Sequence, residues 1–301
     1  MTTQATTPNG TDPSRPLVDV GPHPEADEPP PGNYFVAAYP PFSKWTTGGV
    51  EAWRRCLAQP CPSGRSVPLG LYVHIPFCTE RCQYCYYRST AHTTRDQLDA
   101  YVDALIAEAA LYAAAPAVRD RSLDFVYFGG GTPSILSPPR IRRLIDGLRS
   151  RLPWSRVREV TFECAPKTVT RQKLDTLRQS GVTRLSLGVQ QLDDTVLATN
   201  GRVHLVRDVE CALTDIRRVG FGIVNLDLIV GLVGETSRSF HRSLRQVIGM
   251  APDSVTIYQL EIPDNTPLSR SIRRGTLQTA VPSWATKHER LDEAFARLER
   301  A

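Results

Sequence analysis

The chain has 301 residues, of which 41% are hydrophobic and 22% charged, and its formal net charge is +5. These values are typical of a globular protein, with room for one large domain or two small ones. No basic run has the pattern of phosphate-backbone binding, and no apolar stretch reaches the roughly 20 residues of a membrane span. We therefore expect a cytoplasmic protein without a nucleic-acid or membrane partner.

The amino-acid composition of the first part of the chain changes at residue 33. Residues 1–32 are rich in Pro, Thr and acidic residues, a composition that predicts a disordered tail. Residues 33–68 concentrate aromatic residues among prolines. This pattern indicates a strap packed on the outside of the next domain or, as the alternative, a lid that contacts substrate. Cys56 and Cys61 lie in this segment without a further Cys or His nearby, so we assign them no metal.

Predicted strands alternate with amphipathic helices across the main domain, residues 69–275. The strands are expected at residues 69–75, 123–128, 158–163, 183–188, 222–229 and 254–260. A capping box at Thr94 and glycine stops at Gly181 and Gly220 mark helix ends between them. Such alternation predicts a parallel sheet covered by helices, and six units fall short of a closed eight-stranded barrel. We predict an α/β fold, a partial (β/α)6 TIM-like barrel, over a doubly wound open sheet, because no dinucleotide fingerprint is present.

The C-terminal segment, residues 276–301, contains one more helical pattern. Leu291, Phe295 and Leu298 recur on one face of a helix expected over residues 287–301. That face has no obvious partner, and no C-cap signal follows it. We therefore expect this segment to be the start of a C-terminal region that continues further in related proteins.

The first strand runs into a loop with three cysteines, Cys78, Cys82 and Cys85. A 4Fe–4S cluster usually takes four ligands from protein, so three leave one iron open for a substrate or cofactor. The alternatives are a disulfide or a structural zinc site, and zinc needs a fourth ligand. The nearest candidate, His74, lies within the predicted strand. An open-site iron–sulfur cluster is the favoured interpretation.

Polar residues and glycines also follow the other strands. In parallel α/β barrels, active sites lie at the carboxyl ends of the strands. The loop Gly129–Pro133 offers a backbone that a ligand can approach closely. Further candidates are Glu163, Gln190, Arg202 and Asp227, whose side chains suit a zwitterionic, sugar-bearing ligand. For His204, Cys164 and Cys211 we favour structural roles.

Two of these motifs resemble the radical S-adenosylmethionine (SAM) superfamily. They are the Cys-x3-Cys-x2-Cys loop after the first strand and Gly-Gly-Thr-Pro after the second. The stretches 72–78, 184–190 and 227–232 are similar to the oxygen-independent coproporphyrinogen III dehydrogenase family and its relatives. The resemblance covers residues 69–275.

This resemblance implies that Cys78, Cys82 and Cys85 hold a 4Fe–4S cluster and that SAM binds its open iron. It also implies a 5′-deoxyadenosyl radical and, in this branch, a second SAM. By motif matching, Tyr72, Gly130 and Glu163 would contact the cluster-bound SAM. The second SAM would be surrounded by Tyr84, Gly131, Thr132, Gln190, Arg202 and Asp227, with Glu261 closing the site. The expected partners are a small-molecule substrate and an electron donor such as flavodoxin or ferredoxin, and the expected state is a monomer.

One difference from the sequence motif of the family determines which reaction we predict. The dehydrogenase has a fourth cysteine two residues after the third, and Tyr87 stands there in this chain. We therefore predict that one SAM supplies the radical while the second donates a methyl or methylene group to a small molecule, as in methyltransferases and cyclopropane-forming enzymes similar to this family. The alternatives are oxidative decarboxylation of coproporphyrinogen III in porphyrin biosynthesis and a haem chaperone role. The related haem chaperone also carries an aromatic residue at this position.

Overall fold

The computed structural model describes residues 46–61 and 67–301. The predicted tail, residues 1–32, and the aromatic first part of the strap lie outside the described residues. The later part of the strap contains helix α1, Thr47–Leu57, which is capped by Thr46 and has no buried residue. Cys56 and Cys61 lie here, away from the other cysteines, and both are free thiols.

Six parallel strands form one sheet in the chain order β1 to β6. The strands are β1 Gly70–Ile75, β2 Phe125–Gly130, β3 Glu159–Cys164, β4 Arg184–Gln190, β5 Ile223–Val230 and β6 Ser254–Gln259. Each lies within two residues of its predicted bounds. The prediction of an α/β fold with a six-stranded parallel sheet is confirmed.

Helices connect the strands and cover one face of the sheet. They are α2 Arg95–Ala114, α3 Pro138–Arg149, α4 Arg171–Gln179, α5 Asp194–Thr199, α6 Val206–Val219, α7 Ser237–Gly249, α8 Pro267–Arg273 and α9 Trp284–Leu298. The predicted capping box is present, since Thr94 Oγ1 accepts from Gln97 N at 3.3 Å and Gln97 Oε1 accepts from Thr94 N at 2.9 Å. Gly220 ends α6 with φ of 76°, a conformation that favours glycine. The short helices α5 and α8 were not predicted.

The two faces of the sheet differ in chemistry. Val126, Phe128 and Phe162 are on the face that packs against the helices, in one continuous core. Burial of each such side chain contributes about 1.5–3 kcal/mol. The alternate positions carry polar side chains such as Ser186 and Asn225, both buried. Residues from all six strands line a single cavity, so the sheet curves around it as a partial barrel.

Helix α9 has a partner for its apolar face, contrary to the expectation from sequence. Its Ala294 is buried in a cluster with Val230, Phe240 and Leu244, and its Leu291 and Leu298 pack against that cluster. The helix also begins earlier than predicted, at Trp284, because the Ser283 side chain accepts from Thr286 N. It therefore belongs to the packed core of the described chain.

Candidate functional site

The cysteine loop is fixed by hydrogen bonds to three distant parts of the chain. Cys78 N donates to Thr90 O at 3.1 Å, and Gln83 N donates to Asn200 O at 3.1 Å. Leu268 N, in α8, donates to Gln83 O at 2.8 Å. The loop that carries the three thiols is thus held by the segment after β1, the connection between α5 and α6, and the helix after β6.

Two of the three thiols have polar neighbours supplied by the connections that follow other strands. Arg202 Nη1 donates to Cys82 Sγ at 3.3 Å, and Thr132 Oγ1 donates to Cys78 Sγ at 3.6 Å. At Gly131, a Cβ atom would lie 2.8 Å from Phe77 O and 2.9 Å from Cys78 Sγ. Glycine is therefore required for the Gly-Gly-Thr-Pro loop to approach the first cysteine so closely.

The donor set suits an iron–sulfur cluster better than the two alternatives considered. All three cysteines are free thiols rather than disulfides. Within residues 46–61 and 67–301, no three Cys, His, Asp or Glu side chains gather as they do around a single metal ion. Thiolates that bind different irons of one cluster are spread more widely than the ligands of a zinc ion. His74, the candidate fourth zinc ligand, lies 3.0 Å from the Tyr72 hydroxyl through its Nδ1.

Glu163 lies at the end of β3 between two donors. It accepts from the Tyr127 hydroxyl at 2.7 Å and from Gly130 N at 3.2 Å. Burial, together with the nearby Asp227, raises the pKa of Glu163 to about 7, while the two hydrogen bonds oppose the shift. Near neutral pH this carboxyl is poised between its two charge states, and a cation bound beside it would favour the carboxylate.

Asp227 is held by a polar network on the concave face of the sheet. The Ser186 hydroxyl lies 3.1 Å from both of its oxygens, and Asn225 Nδ2 donates to Oδ1 at 2.8 Å. Asn225 is oriented by Ser254, which donates to its Oδ1 at 2.8 Å. Burial raises the pKa of Asp227 to about 6, against these hydrogen bonds. The carboxylate therefore has a fixed orientation toward the cavity.

Arg202 joins the cysteine loop to the end of β4. Besides its bond to Cys82, it donates from Nη2 to Gly188 O at 3.0 Å and contacts His204 Nδ1 at 3.2 Å. Its buried Nε is without a hydrogen-bond partner in the described part of the chain, which fits a site that receives a ligand.

His204 lines the same cavity as Arg202 and is hydrogen-bonded within the protein. Burial, together with the neighbouring guanidinium of Arg202, lowers the pKa of His204 to about 4. Its Nε2 lies 3.1 Å from Val189 O. Because a carbonyl only accepts, the neutral ring donates from Nε2, and its Nδ1 accepts from Arg202.

The predicted site residues meet in one cavity of about 410 Å³. It is lined by the cysteines Cys78, Cys82 and Cys85 and by Tyr72, Tyr84, Gly130, Gly131, Thr132, Glu163, Gln190, Arg202, Asp227 and Glu261. Gln190 adopts φ of 66° beside an irregularity in the β4–β5 pairing, a strained position of the kind found at ligand sites.

Sequence reasoning missed several tyrosines of this cavity. The missed residues are Tyr86, Tyr127 and Tyr258, which line the cavity together with Tyr87, the tyrosine already singled out from the sequence. Tyr127 stacks on Tyr72, with ring centroids 5.9 Å apart. Strand alternation could have identified Tyr127. It pairs with Tyr72 in the β1–β2 register, and its side chain lies on the same face of the sheet.

Comparison with known proteins gives consistent matches. A model of the radical SAM superfamily matches residues 72–247, more than half of the chain. The chain is 37% identical over 239 residues to the haem chaperone HemW of Mycobacterium tuberculosis, covering 78% of this chain and 60% of that protein. It is 33% identical over 234 residues to the oxygen-independent coproporphyrinogen III oxidase of Salmonella typhimurium, covering 78% and 50%.

A solved structure extends the match to the fold. The coproporphyrinogen III oxidase of Escherichia coli, described as a radical SAM enzyme, superposes with a TM-score of 0.75 at 30% identity, over 89% of this chain and 59% of that one. The chain thus spans about half to three-fifths of the length of these relatives. In the described ranges, no helix combines the length and apolarity needed to cross a membrane.

Proposed function

Because the chain belongs to the radical SAM superfamily, we propose that it holds a 4Fe–4S cluster through Cys78, Cys82 and Cys85 and cleaves SAM reductively. Superfamily membership implies both cofactors, and their placement on these residues is the proposal. When bound, the reduced cluster supplies the one electron that converts SAM to methionine and a 5′-deoxyadenosyl radical. The observation that carries the proposal is the single cavity in which three free thiols meet the polar ends of the strands.

The side chains around the thiols have separate roles in this proposal. Glu163, with its raised pKa, offers an acceptor whose charge a ligand cation would stabilise. Asp227 offers a second, pre-oriented acceptor suited to hydroxyl groups of a sugar. Arg202 provides a fixed cation at Cys82, which would offset the negative charge of a reduced cluster. Gly130 and Gly131 keep the backbone open toward a ligand.

For the function that this chemistry serves, we first propose oxidative decarboxylation of coproporphyrinogen III or a haem chaperone role. The haem chaperone and coproporphyrinogen III oxidase relatives support the two alternatives considered above more strongly than they support alkyl transfer. Alkyl transfer to a small molecule stays as the second candidate because of Tyr87. This side chain replaces the fourth cysteine of the dehydrogenase motif and faces the cavity as a half-exposed aromatic ring.

One anaerobic experiment separates these functions. The chain is reconstituted with iron and sulfide, then given SAM and dithionite with coproporphyrinogen III. Formation of 5′-deoxyadenosine with CO2 supports decarboxylation, and 5′-deoxyadenosine with S-adenosylhomocysteine supports alkyl transfer. Tight haem binding without SAM cleavage would exclude both reactions and support a haem chaperone.

Matched cysteine variants control for the cluster. Cys82→Ala should abolish both the cluster absorbance and SAM cleavage. Cys211→Ala should preserve both, because Cys211 is exposed on α6 and outside the cavity. Persistence of both signals in Cys82→Ala would overturn the ligand assignment. Absence of SAM cleavage in a fully loaded wild-type chain would overturn the enzymatic proposal.

A further inference from the structure

Arginines are concentrated around the cysteine loop, and one of them, Arg81, also lines the cavity. The segments 78–88 and 263–275 contain five arginines against two acidic residues, Glu80 and Asp264. We call these five the arginine patch; they are Arg81, Arg88, Arg270, Arg273 and Arg274, and all are exposed. The cavity residues described above do not include the three on and beside α8. The cavity therefore does not explain why these three arginines lie together.

The patch is continuous with the backbone that carries the thiols. Arg81 Nη2 donates to Cys85 O at 3.1 Å. Asn265, just before α8, donates from Nδ2 to Tyr86 O at 3.3 Å, and Arg270 Nη1 in turn donates to Asn265 O at 3.3 Å. Together with the bond from Leu268 N to Gln83 O, these contacts join α8 to the loop. A protein bound to the patch would lie against the loop that holds the proposed cluster.

Three of the arginines share one face of α8 and its C-terminal end. Arg270, Arg273 and Arg274 have the i, i+3, i+4 spacing that places side chains on one helical face. Arg273 contacts Asp264 at 3.0 Å, and both side chains are about half exposed, so this pair leaves much of the positive field unscreened. Ile272 and Tyr87 add exposed apolar surface at 39% and 47%. Arginine and tyrosine around a small apolar centre are typical of protein interfaces.

We propose that the arginine patch is the docking surface for an acidic one-electron carrier protein of the flavodoxin or ferredoxin class. The inference rests on the proposed function, because SAM cleavage consumes one electron that the chain must receive from outside. Complementary charge raises the association rate of such partners and makes it sensitive to salt. The patch offers positive charge beside the loop where that electron is needed.

The experiment compares two reductants on the same full-length, reconstituted protein. Photoreduced flavodoxin needs a docking surface, whereas dithionite is a small molecule and does not. In the triple variant Arg270→Glu, Arg273→Glu, Arg274→Glu, we expect the KM for flavodoxin in SAM cleavage to rise at least about tenfold. The dithionite-driven rate should stay within about twofold of wild type, since none of these residues lines the cavity. Plant-type ferredoxin as the second carrier shows which class is preferred.

Control variants elsewhere on the surface keep the test specific. Arg156→Glu with Arg158→Glu alters exposed arginines just before β3, at the opposite end of the strands, and should leave both rates unchanged. Arg274→Glu alone is the milder variant if the triple variant folds poorly. Calorimetric binding of flavodoxin gives a readout independent of turnover. Wild-type binding should weaken as salt rises from about 0.05 to about 0.5 M, and variant binding should change less.

The outcomes distinguish this inference from the proposed function. An equal loss of dithionite-driven and flavodoxin-driven cleavage would show a structural role for the patch and overturn the inference. Flavodoxin kinetics that change no more than in the Arg156/Arg158 control would also overturn it. If dithionite supports no cleavage in the wild-type chain, the proposed function fails. Calorimetric binding that depends on the patch would then still support docking.

Discussion

At the scale of single residues, Glu163 shows how the site uses a group that weakens the fold. Its carboxyl binds a proton up to a pKa of about 7 in the folded chain, against an ordinary value of 4.5. Between these values the folded state holds more protons than the unfolded state, so stability falls as pH rises from about 4.5 to about 7. Above pH 7 the folded chain bears the full cost of a buried carboxylate, which a ligand cation would offset.

Glu163→Gln is expected to remove this pH dependence. The amide cannot ionise, so the difference in unfolding free energy between variant and wild type should shift in favour of the variant by on the order of 2 kcal/mol between pH 5 and pH 8. Urea unfolding at several pH values, without added SAM, measures the difference. His204 titrates in both proteins and cancels, whereas the difference includes the loss of the electrostatic repulsion between Glu163 and Asp227. The same variant should bind SAM more weakly.

The control for this prediction is Glu51→Gln, on the exposed helix α1. It should give a pH profile parallel to that of the wild type. The relevant comparison is the slope, because the amide has one acceptor oxygen in place of two and therefore changes the hydrogen bonds with Tyr127 and Gly130 N at every pH. Parallel profiles for Glu163→Gln and wild type would show that this carboxyl has an ordinary pKa.

Sequence pattern identified Glu163 but not its donor Tyr127, and the reason is physical. Glu163 ends its strand, where a polar side chain in a parallel barrel is conspicuous. Tyr127 lies inside β2, where an aromatic residue between Val126 and Phe128 looks like core. From its sequence alone, each strand looks almost continuously apolar. The concave face instead carries alternating polar groups, and only the sheet register shows which of them meet.

At the scale of elements, the strands and long helices could be predicted and their distant packing could not. Capping residues, glycine stops and apolar periodicity are local signals, and they located β1 to β6 within two residues. Helix α9 packs on β5 and α7, which requires contacts between residues more than 40 positions apart. Its partner could therefore not be recognised from its own sequence. The short α5 and α8 are too brief to show a periodic pattern.

A buried ion pair fixes α9 to the loop after β5. Arg290 Nη1 lies 2.7 Å from Glu235 Oε2, and the Glu235 side chain is 1% exposed. Glu235 also accepts from Gly231 N at 2.8 Å and Gln191 Nε2 at 2.7 Å. Removing the arginine leaves a buried carboxylate without its cation, and such a loss costs about 3 kcal/mol or more.

Arg290→Leu is therefore expected to lower the free energy of unfolding by about 3 kcal/mol. Urea unfolding at neutral pH measures the loss. Adding Glu235→Gln in the same chain should recover part of it, because the unpaired charge disappears. Arg171→Leu, which breaks an exposed i,i+4 pair with Asp175, should cost less than about 0.5 kcal/mol. Equal losses for Arg290→Leu and Arg171→Leu would refute a special role for the buried pair.

At the scale of the whole molecule, the cysteine loop connects the two edges of the open sheet. It follows the edge strand β1, and through Gln83 it bonds to Leu268 in α8, which follows the other edge strand β6. A second bond, from Gln83 N to Asn200 O, ties the loop to the α5–α6 connection. A ligand that stiffens this loop therefore acts on contacts distributed over the entire chain.

Loading the cluster should consequently stabilise the fold as a whole. A ligand bound only by the native state raises the unfolding midpoint, and a gain of about 2 kcal/mol in a domain of this size raises Tm by about 5 °C. Anaerobic thermal unfolding of the reconstituted and chelator-treated chain measures the shift. Cys82→Ala should show no shift on reconstitution, whereas Cys211→Ala should keep it. A loaded chain that melts at the same temperature as the stripped chain would mean that the loop holds the sheet edges together without the cluster.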